Sequence, residues 1–240
     1  MYSNFPTSSE NVVARSVLMH LIGFARLRGV DLQAFAKVAA SETGMVSFDH
    51  FASAFGVLLE ETGDQRLGWH LGGQYNPVAL GIVGQIIQAS ATVGEGLEKC
   101  LENFALITDA LIIEHRLEAN YIELNFALST DAASEVQIVK QHFMHTAMLV
   151  AFQELSFLTL CQELPLEVAV SDPGADLNLL QTIFGCPVAN TPGNNYLWFD
   201  RALLSKPIVY ADYQLLLSLE QDASRRMQRL RSGRLNFANT

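Results

Sequence analysis

The chain has 240 residues, half of them hydrophobic and 17% charged, a composition that excludes a disordered chain and suits a folded domain with a sizeable core. No apolar run reaches the 18 residues of a membrane span, and the polar stretch Met1–Asn11 lacks the basic-then-apolar order of a secretory signal. The net charge of −10 is unevenly placed: residues 1–224 carry 10 basic and 25 acidic side chains, a net of −15, whereas residues 225–240 carry five arginines and no acid. Such a body repels a phosphate backbone. The basic end reads either as a solvated helix terminus favoured by the helix dipole or as a linker running toward DNA. Cys100, Cys161 and Cys186 are odd in number and widely spaced, which fits a reducing cytoplasm better than a disulfide framework, and no pair has metal-ligand spacing.

In chain order, residues 12–28 predict a helix from Val17, Leu18, Leu21, Ile22 and Ala25, with Gly29 placed to end it. Asp31 is a cap for a short helix over Leu32–Ala39. A third helix is expected over Asp49–Thr62, with Phe51, Ala54, Phe55, Leu58 and Leu59 inward and Gly63 as its stop. Asp64 then opens a short piece containing Leu67, His70 and Leu71. Residues 79–90 read equally as a strand or a buried helix, because periodicity does not separate the two in a short apolar run. Thr92 and Glu95 form a capping box, and Leu97, Cys100, Leu101 and Phe104 follow at helical spacing.

Residues 111–128 alternate like a β-hairpin turning at Ala119-Asn120. A long helix is expected over about residues 132–160, then a strand at Glu167–Ser171, a helix at Leu177–Phe184 closed by Gly185, a strand at Tyr196–Asp200, and a final helix over about residues 213–231 capped by Asp212. Helices first, then a sheet interrupted by helices, make an α+β fold: a helical N-terminal portion on a mostly antiparallel sheet, with a long C-terminal helix.

Two stretches carry a family resemblance. The first is Leu67-Gly68-Trp69-His70-Leu71-Gly72, then Gly81-Ile82-Val83-Gly84 and Ser90-Ala91-Thr92-Val93-Gly94-Glu95-Gly96-Leu97. The second is Phe184-Gly185-Cys186-Pro187-Val188, then Asn195-Tyr196-Leu197-Trp198-Phe199 and Leu203-Leu204-Ser205-Lys206-Pro207. In order and spacing they resemble the N-terminal effector domain of AraC-type transcription regulators, over residues 12–231. The resemblance implies a small-molecule effector, a homodimer, and DNA contact only through a separate helix-turn-helix domain that these residues do not contain. Residues 1–231 are then the effector-binding and dimerisation domain, and residues 232–240 the start of a linker.

Candidate ligand contacts are Trp69, His70, Gln85, His142, His145 and Trp198. An aromatic beside a polar group suits a mostly apolar pocket, although packing in the core is the ordinary role of such residues. His142 and His145 stand three apart on the long helix and suit a metal, a polar pocket role or plain partial burial; the only further ligand at hand on that helix is Glu154. Leu216, Leu219, Met227 and Leu230 approach a heptad stripe, which serves a dimer seam or packing on the same domain. Catalysis is not expected. G-x-S-x-G, P-loop and H-E-x-x-H motifs are missing, and Cys161 stands 16 residues from His145, about 24 Å at helical rise. No cofactor is implied. The expected function is effector sensing and dimerisation in a bacterial regulator, weighed against a ligand-free dimerisation or protein-interaction module and a small hydrolase.

Overall fold

The first apolar stripe folds as α1 (Arg15–Leu27), burying Leu18, Leu21, Ile22, Phe24 and Ala25. The three residues before it, expected in the helix, form β1 (Val12–Ala14) instead, paired antiparallel with β2 (Met45–Ser47). Neighbouring groups hold them extended: the Val12 N–H donates to Asp109 and the Ala14 N–H to the Ile107 carbonyl. The computed structural model describes residues 11–37, 44–74, 76–129 and 134–237. The ends of two expected helices, at residues 38–39 and 132–133, lie outside them, as do Met1–Glu10 and residues 238–240.

Side chains placed by the sequence start most of the helices. Asp31 accepts from the Gln33 N–H beside α2 (Gln33–Ala36). Ser47 accepts from His50 N–H at the head of α3 (Phe48–Thr62), and Thr92 from Glu95 N–H at the head of α6 (Val93–Asn103) while Glu95 reaches back to Ala91 N–H. Each such cap is worth about 1 kcal/mol. Between them lie α4 (Leu67–Gly73) and α5 (Gly81–Ala89), the latter entered through a 3₁₀ turn at Pro77–Leu80. The ambiguous apolar run is therefore helical.

The sheet comprises β3 (Leu111–Leu117), β4 (Tyr121–Leu128), β5 (Glu167–Val170), β6 (Val188–Asn190) and β7 (Tyr196–Asp200), in spatial order β3-β4-β7-β5-β6. All pairings are antiparallel except β5 with β6. Helix α8 (Leu177–Phe184) makes the connection that this parallel pair requires. One face of the sheet is buried, with Ile122, Leu124, Phe126, Val168, Leu197 and Phe199 inward, in the alternation expected of strands.

Helix α7 (Ser134–Thr159) lies at the centre and packs on α3, α4 and β4. Phe143 on α7 meets Phe51 on α3 edge-on at 5.3 Å between ring centres, and Phe48 and Phe55 extend the cluster. The architecture is α+β, a helical layer against one face of a mixed sheet.

Helix α9 (Tyr213–Phe237) begins at Asp212, whose carboxylate accepts from the Gln214 and Leu215 N–H groups. It runs to Phe237, so Ser232-Gly233-Arg234, expected at the start of a linker, are helical. A single helical glycine costs only about 1 kcal/mol, too little to stop a helix already propagating. Among the described residues no helix is long and apolar enough to cross a membrane.

Candidate functional site

The residues singled out as ligand contacts separate into three places. Trp69, His142 and His145 sit in the seam between α4 and α7. Gly68 and Gly72 create that seam: a Cβ on Gly68 would stand 2.3 Å from the His142 carbonyl oxygen, and one on Gly72 2.9 Å from Leu149 Cβ. With the backbones so close, the Gly68 N–H, an orphan donor at the start of α4, donates to His142 Nδ1 at 3.2 Å. Thr146 Oγ1 donates within 2.9 Å of both the Gly68 and His142 carbonyls. His142 also stacks on Phe55, and Trp69 lies flat on His145 at 4.3 Å.

Burial pushes both imidazoles down, His145 to about 4 with Asp172 opposing, so these rings are neutral near pH 7. His70 faces outward and bonds Asp64 at 2.6 Å. Among the described residues no group of three or more His, Cys, Asp or Glu side chains is arranged to hold a metal ion.

Trp198 belongs to the outer sheet face, where it stacks between Tyr121 and Tyr196 and donates from Nε1 to Glu123 at 2.7 Å. Gln85 is exposed on α5.

An apolar hollow lies elsewhere. A cavity of about 150 Å³ opens between α1, α5, α6, the hairpin β3–β4 and α7. Its α7 wall runs from Phe143 through Ala147, Val150, Ala151 and Glu154 to Leu158, the face of that helix turned away from the α4 seam. Leu97 and Cys100 of α6, and Val17 and His20 of α1, face it from the other side. None of Trp69, His70, Gln85, His142, His145 and Trp198 is on this wall. Asn76 is the only exposed residue on it among those described, so the cavity meets the surface there.

Two polar groups in the lining are unpaired; Thr108 and Thr146 also stand on the wall, their hydroxyls bonded to backbone carbonyls. Glu154 is 5% exposed, and neither carboxyl oxygen has a hydrogen-bond partner. His20 bonds the Leu71 backbone through one nitrogen, while its Nε2 is buried and unpaired. The one other unpaired buried group among the described residues is His145 Nε2 in the α4–α7 seam; Glu163 binds Lys206, Asn195 accepts from the Ser171 N–H, and Lys140 donates to the Ser129 carbonyl. Burial raises the Glu154 pKa to about 8 and lowers that of His20. Both are therefore mainly neutral near pH 7. A neutral carboxyl and a neutral imidazole in an apolar chamber orient a guest; a nucleophile paired with a base is not what they form.

The stripe assigned to a dimer seam is occupied within the subunit. Leu216, Met227 and Leu230 are buried, Leu219 is half-buried, and Ala223 completes the inward face. That face packs on α5 and the 3₁₀ turn Phe104–Leu106, and a Lys99–Glu220 ion pair ties α6 to α9. The heptad-like spacing thus reflects a helix lying on its own domain.

A family model described as the arabinose-binding domain of AraC transcription regulator, N-terminal, matches residues 25–208. The chain belongs to this family. Among solved structures, the transcriptional regulator CdpR from Pseudomonas aeruginosa matches with a TM-score of 0.66 and 14% identity, over 94% of this chain and 68% of that one. At that identity the likeness speaks for the fold alone. No curated protein matches the chain.

Within this AraC-type domain, sequence reasoning found the α4–α7 seam and missed the chamber beside it. Glu154 carried a signal: Val150, Ala151, Leu155 and Leu158 surround it at helical spacing, which sets an acid on an apolar face.

Proposed function

We propose that this chain is the small-molecule-sensing domain of an AraC-type transcription regulator, with the cavity between α1, α6 and α7 as its effector site. The observation that carries this reading is the chamber itself: an apolar hollow whose wall holds Glu154 with both oxygens unpaired. Cores are packed to crystal-like density, and buried polar groups are as a rule bonded. A domain that leaves both rules unmet at one place gains from a guest there.

Ile87 of α5 and Phe104 are on the cavity wall, and α9 packs on the same two elements. A guest that prefers one arrangement of that wall would bias the setting of α9 by its differential affinity. Contact with DNA belongs to a helix-turn-helix module outside these residues, in keeping with a body of net charge −15. A homodimer fits this reading as well. Its seam would have to use a face other than the buried stripe, such as the side of α9 exposing Tyr213 and Leu217.

Melting the protein against a panel of small amines, alcohols, acids and aromatics tests the sensing role. A saturable rise in Tm is expected with at least one class, and lost when Ala147 is enlarged to Phe to fill the chamber. A panel without effect on the wild type, with A147F as stable as wild type, would refute it.

A further inference from the structure

We propose that the cavity takes a small primary amine on an apolar body of benzyl or hexyl size, its ammonium held by the Glu154 carboxylate. This rests on reading the cavity as a guest site and adds the chemistry of the guest.

Size comes first. An apolar cavity of about 150 Å³ accommodates a benzene-sized body.

The polar points decide the head group. His20 spends its Nδ1 hydrogen on the Leu71 backbone, so the neutral ring presents the bare lone pair of Nε2. Glu154 offers two oxygens without a partner. Once a cation has displaced the Glu154 proton, the carboxylate and the neutral His20 are acceptors only, which a guest with several N–H donors matches. A carboxylate guest would bury a second acid beside Glu154 with no cation to balance it. A hydrocarbon guest would leave the carboxyl as unpaired as before. An alcohol gives one donor and no charge. An ammonium gives three donors and the positive charge that makes an ionised buried carboxylate tolerable.

The titratable groups on the described wall are His20, Cys100 and Glu154. Burial pushes the Cys100 thiol up to about 12 and the His20 imidazole down, so neither competes as a charge near neutral pH. Burial also holds Glu154 protonated up to about pH 8. When the ammonium enters, the carboxyl proton leaves for solvent and an ion pair of zero net charge remains.

The test is calorimetric titration of the whole chain with benzylamine, benzyl alcohol, toluene and benzoate, which share one body and differ in the head. Benzylamine is expected to bind at least about tenfold more tightly than toluene or benzyl alcohol, and benzoate not measurably. Near pH 7, close to one proton should be released per amine bound, read from the dependence of the heat on buffer ionisation enthalpy. In Glu154→Gln the amine preference should fall to about threefold or less while toluene binding persists. Glu154→Leu, which removes a buried orphan carboxyl, should behave alike and keeps the test available if the glutamine variant folds poorly. Toluene binding as tightly as benzylamine, or a preference that survives in both variants, would overturn amine recognition and leave the cavity as a guest site. Silence from all four probes would overturn the guest site itself.

Discussion

Replacing Glu154 by glutamine should flatten part of the pH dependence of stability, and the size of the effect follows from its burial. Burial pushes the folded carboxyl up to about 8, against an ordinary 4.5. A folded pKa above the unfolded one means that the folded state keeps its proton longer. The stability contributed is fully present below pH 4.5 and is lost as pH rises through about 8. The slope approaches 1.36 kcal/mol per pH unit within that window. Between about pH 5 and pH 8 the wild type should therefore lose about 3 kcal/mol relative to the variant.

The buried histidines act in the opposite sense. His20, His142 and His145 have lowered values and contribute stability above their ordinary pKa of 6.5 that is lost as pH falls. They are common to both proteins and cancel in the difference. The glutamine amide has its own burial cost, which does not depend on pH, so the change of the difference with pH is the readout and its offset is not. Urea unfolding of both proteins at about five pH values, monitored by tryptophan fluorescence, measures it. Parallel stability profiles, differing by less than about 0.5 kcal/mol in their change across the window, would refute the placement of Glu154 as an unpartnered buried acid.

The remaining expectations concern packing. Gly68→Ala should cost at least about 3 kcal/mol in urea unfolding, because its Cβ would meet the His142 carbonyl oxygen at 2.3 Å and backbone cannot swing aside as a side-chain end can. Leu216→Ala should cost about 3 kcal/mol and Met227→Ala about 2 kcal/mol in the same measurement; unchanged stability with a halved mass by light scattering would show the stripe to be a seam after all. Trp69→Leu should destabilise by about 2 kcal/mol through loss of the stack on His145, and with the cavity elsewhere it should leave any benzylamine affinity within about twofold.

What was legible in the sequence was whatever depends on near neighbours along the chain. Thr92 and Asp212 cap helices through groups two or three residues away. Gly63 and Gly185 end helices with positive φ at the residue itself. The Ala119-Asn120 turn sets the hairpin register locally. β1 escaped because Val12 and Val13 continue the apolar stripe of α1, and what makes them a strand is a pairing 33 residues away, Val13 with Val46. The chamber escaped for a different reason. Val150, Ala151 and Leu155 read as core, and no pattern of types distinguishes an apolar residue that meets a neighbour from one that meets a void. The histidines drew attention by type, yet His142 and His145 project into a seam that the glycines of α4 had already fitted to them.

Helix α7 brings these observations together. One of its faces, carrying His142, His145, Thr146 and Leu149, is locked against α4 by backbone contacts too close for any side chain on Gly68 or Gly72. The opposite face, from Phe143 to Leu158, borders empty space. A helix fixed rigidly on one side is a firm wall for the other, so the compliance of the chamber belongs to the elements across from it: α1, α6 and the turn at Phe104–Leu106. Among the helices, α4 makes the most extensive contact with α7, and α9 rests on the Phe104–Leu106 turn. Under the proposed sensing role, a guest pressing on the wall would move the side that supports α9 and leave the α4–α7 side in place, and occupancy of the chamber would be read at the C-terminal helix.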